Sequence, residues 1–322
     1  MPAVADPSAE PAEVSDGSPS ESLVWVARDI KAIAREADRD DLAERVDEAI
    51  RRAARTETIV CVVGEFKNGK SALINALIGS PVCPVDDDLA TTAVTVVRYG
   101  DPPSAEVHRR DGEGRAIEGI ALDALVDWVQ ESPGRERRRD IDLVEVRVPS
   151  PLLASGLTLV DTPGVGGLNA GHAAATLAFL PSADALVFVT DASAELSAAE
   201  LEFLGSARSA GPPILVALTK IDMYPEWRRI RDIDAGRLAA IGLADPPFGL
   251  SSVLKLRSDE VDDESGYGAF TDSLRGDIVD RARAVSLAEA TRDLRWVLRQ
   301  LRDPLVAERT ALADQTAARR LT

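Results

Sequence analysis

Apolar residues recur at helical spacing towards both ends of the chain. Between Leu23 and Ala53 they fall every three or four positions, as on one face of a helix, and we expect one long helix or two in tandem. The same spacing resumes at Phe270 and continues to Leu312. Two helical segments therefore flank the central part of the chain, and each needs a partner against which to bury its apolar face.

The central part alternates short β-branched apolar runs with helical patterns. An early pair of strands, 94–98 and 105–109, surrounds a proline-containing turn and predicts an antiparallel hairpin at the edge of a sheet. The alternation predicts an α/β fold with a mostly parallel sheet covered by helices on both faces, and ligands of such sheets bind at the carboxyl ends of the strands. The other expected strands include Thr58–Val63, Leu157–Val160, Ala185–Thr190, Ile214–Leu218 and Phe248–Ser251.

The charge balance argues against one broad class of function. The 322-residue chain carries 54 acidic against 37 basic residues, a formal net charge of −17. Nonspecific nucleic-acid affinity comes mainly from clustered Lys and Arg, so we expect no nucleic-acid partner. Two cysteines, two histidines and no apolar run long enough to span a bilayer predict a soluble cytoplasmic chain without disulfides or a zinc site.

The first chemical motif is GEFKNGKS, Gly64–Ser71, which satisfies Gly-x4-Gly-Lys-Ser between a predicted strand and a predicted helix. In such a loop the backbone amides face phosphate groups, Lys70 reaches the β and γ phosphates, and Ser71 ligates Mg²⁺. The alternative is an ordinary glycine turn. The residues predicted to contact a nucleotide here are Gly64, Glu65, Lys67, Asn68, Gly69, Lys70, Ser71 and Ala72.

The second motif, DTPG at 161–164, follows another predicted strand. Asp-x-x-Gly turns are common by themselves, but after a phosphate loop Asp161 is expected to hold Mg²⁺ through water, and the amide of Gly164 to contact the γ phosphate. Between the two motifs a threonine is needed to reach Mg²⁺ and the γ phosphate. Thr92 is our choice, with Thr91 as the rival and an ordinary strand-entry threonine as the alternative.

The third motif, TKID at 219–222, predicts the base. A carboxylate at Asp222 accepts from the N1 hydrogen and the exocyclic amine of guanine, whereas adenine offers an acceptor at N1, so GTP is selected over ATP. Lys220 is expected to pack its aliphatic stem along the base, beside Thr219. In the alternative interpretation TKID merely caps its strand. A softer signal, FGLSS at 248–252, puts Ser251 and Ser252 in a final base-contacting loop.

These motifs, with TTAVTVVRYG between the first two, resemble in their order the GTPase domain of bacterial dynamin-like proteins over roughly Thr56–Val285. Two further segments, 180–204 and 223–230, resemble the actinobacterial branch that includes the isoniazid-inducible mycobacterial proteins. The resemblance implies GTP binding and hydrolysis to GDP, a helical bundle built from segments on both sides of a P-loop GTPase domain, and action on membranes.

The resemblance also implies a division of the chain. Residues 1–22 are expected to form a disordered acidic tail and 23–55 an N-terminal bundle segment. Residues 56–268 form the expected dynamin-type GTPase domain. The remaining residues, 269–322, are expected to form a C-terminal bundle segment. Because its last residues carry no Gly or Pro stop signal, we interpret this segment as a truncated stalk.

Hydrolysis needs a group that neutralises transition-state charge. The position after DTPG, a glutamine in Ras-like enzymes, is Val165, so the attacking water is expected to be held by Thr92 and backbone groups. Lys67 stands where related loops of atlastins and guanylate-binding proteins carry an arginine finger. Our hypothesis is that Lys67 supplies this charge, in its own site or across a GTPase-domain dimer, in place of a monovalent cation such as K⁺; the alternative is a solvated loop cation.

The resulting prediction is a Mg²⁺-dependent GTPase that pairs through its GTPase domains as a homodimer or heterodimer. It is expected to be cytoplasmic, or peripheral at the inner face of the cell membrane, with membrane contact through a stalk absent from this chain. One alternative is a nucleotide-binding regulatory partner of a heteromeric dynamin pair with little hydrolysis. Another is a ribosome-associated GTPase.

Overall fold

The computed structural model describes residues 19–55, 57–85, 93–111, 114–129, 141–162, 183–257 and 262–320. These residues cluster into two compact units. A helical unit combines the described parts of 1–55 and 283–322, and a sheet unit comprises the described parts of 56–282. Within all of these ranges, no helix is both long and apolar enough to cross a membrane.

The helical unit is built from three helices: α1 (Pro19–Glu36), α2 (Asp40–Ala53) and α11 (Arg281–Arg320), whose first two residues belong to the sheet unit. The predicted tandem arrangement is present, because the chain turns between α1 and α2 at Asp38, which has a left-handed φ of 53°. The helices share an apolar core that includes Ile30, Leu42, Val46, Leu294 and Val297.

The sheet unit contains nine strands in the order β4-β3-β5-β2-β6-β1-β7-β8-β9. The strand pairs β6–β1, β1–β7, β7–β8, β8–β9 and β2–β5 are parallel, whereas the pairs β2–β6, β5–β3 and β3–β4 are antiparallel. The expected mostly parallel α/β fold is therefore confirmed. The strands are β1 (Thr58–Gly64), β2 (Val94–Tyr99), β3 (Ser104–Asp111), β4 (Gly114–Ile120), β5 (Ile141–Val148), β6 (Leu157–Asp161), β7 (Ala185–Asp191), β8 (Ile214–Thr219) and β9 (Phe248–Gly249).

Both faces of the central strands are buried, which explains their continuous apolar runs. Along β1, Val60 and Val62 face one apolar core and Cys61 and Val63 face the other. A 3₁₀ turn (Leu122–Ala124) precedes α4, and a π-helical segment (Leu274–Asp280) links α10 to α11. The helices of this unit are α3 (Lys70–Ile78), α4 (Leu125–Val129), α5 (Pro151–Ala154), α6 (Ala198–Ala210), α7 (Trp227–Ala240), α8 (Ser252–Arg257), α9 (Asp262–Ser265) and α10 (Tyr267–Ser273).

Two features differ from the expectation. The strands at 94–98 and 105–109 do not pair with each other: β2 lies between β5 and β6, and the hairpin partner of β3 is β4, which we did not predict. The sequence did not predict β4, because its residues 116–119, which are exposed, carry little apolar patterning. In addition, the helical region that we assigned from residue 269 begins inside the sheet unit, where Phe270, Leu274 and Ile278 pack into the core.

Candidate nucleotide site

The phosphate loop joins the end of β1 to the start of α3. A Cβ at Gly64 would lie 2.1 Å from the carbonyl oxygen of Val189 on β7, so only glycine fits where the loop leaves the sheet. Gly69, immediately before α3, has a left-handed φ of 90°, which also favours glycine. The two glycines of the motif therefore have distinct roles, one in packing against β7 and one in shaping the helix entry.

Lys70 is buried and lies inside this loop. Its Nζ donates to the carbonyl oxygens of Gly64 at 3.0 Å and Glu65 at 2.8 Å. Burial lowers the pKa of Lys70, and the nearby carboxylates of Asp161 and Glu65 oppose that shift. The ammonium group is thus held within the loop where an anionic ligand would bind.

Asp161 ends β6 next to the first turn of α3. Its Oδ2 accepts a hydrogen bond from Ser71 Oγ at 2.7 Å, and its buried Oδ1 has no hydrogen-bond partner among the described residues. Burial raises the pKa of Asp161; Lys70, the Ser71 hydroxyl and the Cys83 thiol oppose that shift. A hydroxyl and a buried carboxylate with a spare oxygen form the kind of oxygen ligand set that suits Mg²⁺. The residues present therefore fit the implied ion.

Thr219, the first residue of TKID, connects three strand ends. Its hydroxyl lies 2.6 Å from the carbonyl oxygen of Asn68 in the phosphate loop and 3.1 Å from that of Thr190 on β7. The side-chain Nδ2 of Asn68 donates in turn to the carbonyl oxygen of Val189 at 3.3 Å. The third motif and the phosphate loop are thus in direct contact.

Lys220 and Asp222 follow β8. Lys220 has a left-handed φ of 59°, and its Nζ donates to Asp191 Oδ2 at 2.8 Å. A turn then forms in which the Met223 amide donates to the Lys220 carbonyl oxygen at 2.9 Å. Asp222 is exposed in this turn and lines a cleft of about 1090 Å³ that runs beside β8 and α7.

The side chains of Ser251 and Ser252 are engaged within the fold. The buried Ser251 hydroxyl accepts from the Leu254 amide at 3.1 Å, and the Ser252 hydroxyl lies 2.8 Å from the hydroxyl of Tyr267. The loop is nevertheless adjacent to TKID, since the Ile221 amide donates to the Leu250 carbonyl oxygen at 3.4 Å. The predicted base-contacting loop therefore lies beside TKID, and each serine hydroxyl has one partner within the fold.

The remaining predicted residues vary in placement. Lys67 is exposed with a left-handed φ of 69°, and its Nζ lies 5.6 Å from the ring centroid of Phe66. Ala72 is half-buried in the first turn of α3. Thr92, Thr91 and Gly164 lie outside the described residues.

Three polar residues next to these motifs were missed from the sequence. Asn75 is buried on α3; its Oδ1 accepts from the amides of Val82 and Cys83 at 2.9 and 2.8 Å, and its Nδ2 donates to the Cys83 carbonyl oxygen at 2.7 Å. Cys83 is buried, and burial together with the charge of Asp161 raises the pKa of its thiol. Asp191 ends β7 opposite Lys220. Of the three, only Asp191 had a sequence signal, because an acidic residue there ends a buried strand.

The site and fold define a P-loop protein of the dynamin class. The sequence profile described as "Dynamin family" matches residues 60–221, half of the chain, and the chain belongs to that family. The isoniazid-induced protein IniA of Mycobacterium tuberculosis strain H37Rv is 36% identical over 301 residues, which cover 90% of this chain and 46% of IniA. The bacterial dynamin-like protein of Nostoc punctiforme is 25% identical over 288 residues, covering 79% of this chain and 41% of that protein.

A solved structure of "an oligomerised bacterial dynamin pair" shares the fold, with a TM-score of 0.62 and 17% sequence identity. The match covers 94% of this chain and 50% of that one. The chain thus spans about half the length of the relatives that it matches.

Proposed function

We propose that this chain binds GTP with Mg²⁺ and hydrolyses it to GDP and phosphate. The observation that supports this best is the convergence of three separated segments at the carboxyl ends of neighbouring parallel strands. Ser71 contacts Asp161 at 2.7 Å, and Thr219 contacts Asn68 at 2.6 Å. Such strand ends are where α/β sheets bind nucleotides, and family membership gives the reaction its class.

Each residue has a role in this proposal. The backbone amides of the phosphate loop and the ammonium of Lys70 neutralise the β and γ phosphates. Ser71 and Asp161 would hold Mg²⁺, which supplies charge neutralisation between the phosphates when bound. Thr92 and the amide of Gly164 would complete the γ-phosphate contacts. The attack by water is in line and passes through no covalent enzyme intermediate, so catalysis consists of positioning and charge neutralisation.

A change of base preference tests the assignment of Asp222. Replacing its carboxylate by an amide removes the acceptor for the exocyclic 2-amine of guanine and offers a donor to the 2-oxo group of xanthine. We expect Asp222→Asn to weaken GDP binding by about a hundredfold or more and to gain binding of xanthosine diphosphate. Titration with fluorescent nucleotides measures both. The control Asp41→Asn, which removes the exposed ion pair to Arg39, should bind GDP normally.

Phosphate release tests the reaction itself. GTP and ATP are supplied with and without Mg²⁺ and K⁺ over a protein dilution series. We expect release from GTP alone, dependent on Mg²⁺, with a specific rate that rises with protein concentration if GTPase domains pair. Equal release from ATP, or tight GDP binding without any release, would contradict the proposed enzyme.

The charge of Lys67 is proposed to act in the transition state. The side chain is exposed at the surface of the phosphate loop, so it is accessible either to its own γ phosphate or to a second chain. We expect Lys67→Ala to lower the rate of hydrolysis by about a hundredfold or more while GDP affinity changes little. Lys31→Ala, which removes an ion pair to Asp47 in the helical unit, is the control. Unchanged, still concentration-dependent hydrolysis in Lys67→Ala would exclude the role.

Assembly and membrane action are proposed by analogy with relatives. The related solved structure is described as an oligomerised pair that provides "a mechanism for the long-range sensing and tethering of membranes". We accordingly propose nucleotide-dependent pairing, in a homodimer or heterodimer, and peripheral membrane association of a longer protein. Because that structure is described as a pair, we retain one alternative: this chain is a regulatory partner that binds GTP tightly and hydrolyses it slowly. Single-turnover hydrolysis would distinguish that role from the proposed enzyme.

A further inference from the structure

Lys220 is held in a backbone conformation that residues with a side chain rarely adopt. Its φ of 59° lies in the left-handed region, where a Cβ crowds its own carbonyl group. Such conformations persist only where surrounding contacts compensate for them. The two observed contacts are the ion pair of its Nζ with Asp191 Oδ2 at 2.8 Å and the turn that its carbonyl oxygen closes with Met223.

Asp191 is itself fixed by a separate set of contacts. Its Oδ1 accepts hydrogen bonds from the backbone amide of Ser193, at 3.0 Å, and from the Ser193 hydroxyl. The next residue, Ala192, donates its amide to the Thr219 carbonyl oxygen at 3.0 Å. The carboxylate is therefore fixed by the segment that follows β7, while Lys220, which follows β8, is the side chain that it orients.

The ion pair is partly shielded from solvent. The side chains of Asp191 and Lys220 are 15% and 30% exposed, so their attraction is less screened than in a surface pair. Burial alone would raise the pKa of Asp191, but the hydrogen bonds from Lys220 and Ser193 outweigh burial and lower it. The carboxylate is thus ionised at neutral pH, when a nucleotide would bind.

From these contacts we infer that Asp191 is a positioning residue for guanine recognition, acting through Lys220. The ion pair holds the ammonium to one side, so that the aliphatic stem is already extended along the place of the base. It also holds the turn that presents Asp222 two residues later. Binding then requires little ordering of a long, flexible side chain. This inference rests on the guanine-binding role proposed above and adds a residue that lies outside GEFKNGKS, DTPG, TKID and FGLSS.

A double-mutant cycle tests this role. Asp191→Asn keeps the shape of the side chain and an acceptor for Ser193 but removes the charge. We expect Asp191→Asn and Lys220→Ala each to weaken GDP binding by about tenfold. If Asp191 acts through Lys220, the double variant should lose about tenfold as well, rather than the roughly hundredfold of independent losses. Titration of fluorescent GDP measures all four proteins, and thermal unfolding shows that each is folded.

The outcomes separate this inference from the proposed function. Independent losses that multiply, or an Asp191→Asn variant that binds GDP like the wild type, would overturn the role of Asp191 and leave guanine binding intact. Failure of the wild-type protein to bind GDP would overturn both. Asp41→Asn, which neutralises an acidic residue paired with Arg39 in the helical unit, is the matched control and should leave GDP affinity unchanged.

Discussion

At the scale of single residues, the phosphate loop depends on the absence of one side chain at Gly64. A Cβ there would approach the Val189 carbonyl oxygen to 2.1 Å. Because that atom belongs to the backbone of β7, relieving the clash would require the backbone of the loop or of β7 to shift. We expect Gly64→Ala to lower the free energy of unfolding by about 3 kcal/mol or more and to abolish nucleotide binding.

Urea unfolding and fluorescent GDP titration measure both effects. Gly205→Ala is the matched control, because Gly205 lies within α6 and a Cβ there meets nothing within 4 Å. Alanine should stabilise that helix slightly, by about 0.5–1 kcal/mol. Equal stability of Gly64→Ala and wild type would contradict the close approach.

A buried carboxylate on α7 gives a prediction about pH. Burial raises the pKa of Asp234, while the Leu196 amide, which donates to its Oδ1 at 2.9 Å, and Arg237 oppose that shift. Because the folded pKa lies above the unfolded one, the contribution of Asp234 to stability is present at low pH and is lost as pH rises through the folded pKa.

Asp234→Asn removes this titration. We expect the free energy of unfolding of Asp234→Asn, relative to that of the wild type, to increase as pH rises from about 3 to about 7, because the titration begins at the unfolded pKa of about 4. Urea unfolding across that range measures the difference. A difference that stays constant, or moves in favour of the wild type, would contradict the assignment.

At the scale of elements, α3 organises the segment that follows it. The buried Asn75 side chain makes three hydrogen bonds to the backbone of Val82 and Cys83. Loss of these bonds removes the side-chain partner of the buried Cys83 amide and carbonyl groups, and leaves the Val82 amide only its hydrogen bond to the Ser80 carbonyl oxygen at 2.9 Å. We expect Asn75→Ala to cost about 2–3 kcal/mol of unfolding free energy and to speed hydrogen exchange at the amides of Val82 and Cys83.

The control for this prediction is Ser209→Ala, which removes an exposed side-chain hydrogen bond to the Gly205 carbonyl oxygen. It should change stability by less than about 0.5 kcal/mol. Slow exchange at both amides in Asn75→Ala would show that other contacts hold this segment.

Individual elements differed in how far local sequence could predict them. The start of α6 carries a local signal, because Ser197 and Glu200 form a reciprocal capping box there. β4 carries no such signal, since its stability comes from pairing with β3 rather than from its own residues. Helical spacing from Phe270 onwards predicted helix correctly but not which core the helix joins.

At the scale of the whole molecule, the helical and sheet units each have an apolar core of their own. Leu294 is buried in the helical core with Val297 and Val46. We expect Leu294→Ala to cost about 2–5 kcal/mol in the free energy of unfolding of that unit, because truncation leaves a cavity. GDP affinity of the sheet unit should change by less than about twofold in conditions where the protein is folded.

Circular dichroism during urea unfolding and GDP titration measure the two effects separately. Leu298→Ala, on the same helix but 42% exposed, is the control and should cost less than about 1 kcal/mol. A loss of GDP affinity in parallel with stability would contradict the independence of the two cores.

The amino-acid sequence by itself determined the class of fold and three of the chemical motifs in the candidate site. Strand–helix alternation, the Gly-x4-Gly-Lys-Ser loop and TKID are local patterns, since backbone conformation and residue type within a few positions are enough to specify them. Lys70, Ser71 and Asp161 could therefore be named as candidates before any contact was known.

Tertiary structure alone decided which distant segments meet. The insertion of β2 between β5 and β6, the clamp of Asn75 on the following loop and the pairing of Asp191 with Lys220 all depend on strand order and register. Asp191 and Lys220 are 29 positions apart; Asp191 ends β7, and Lys220 follows the separate strand β8. Local patterns carry no information on such pairs, because their contact arises only when whole elements pack.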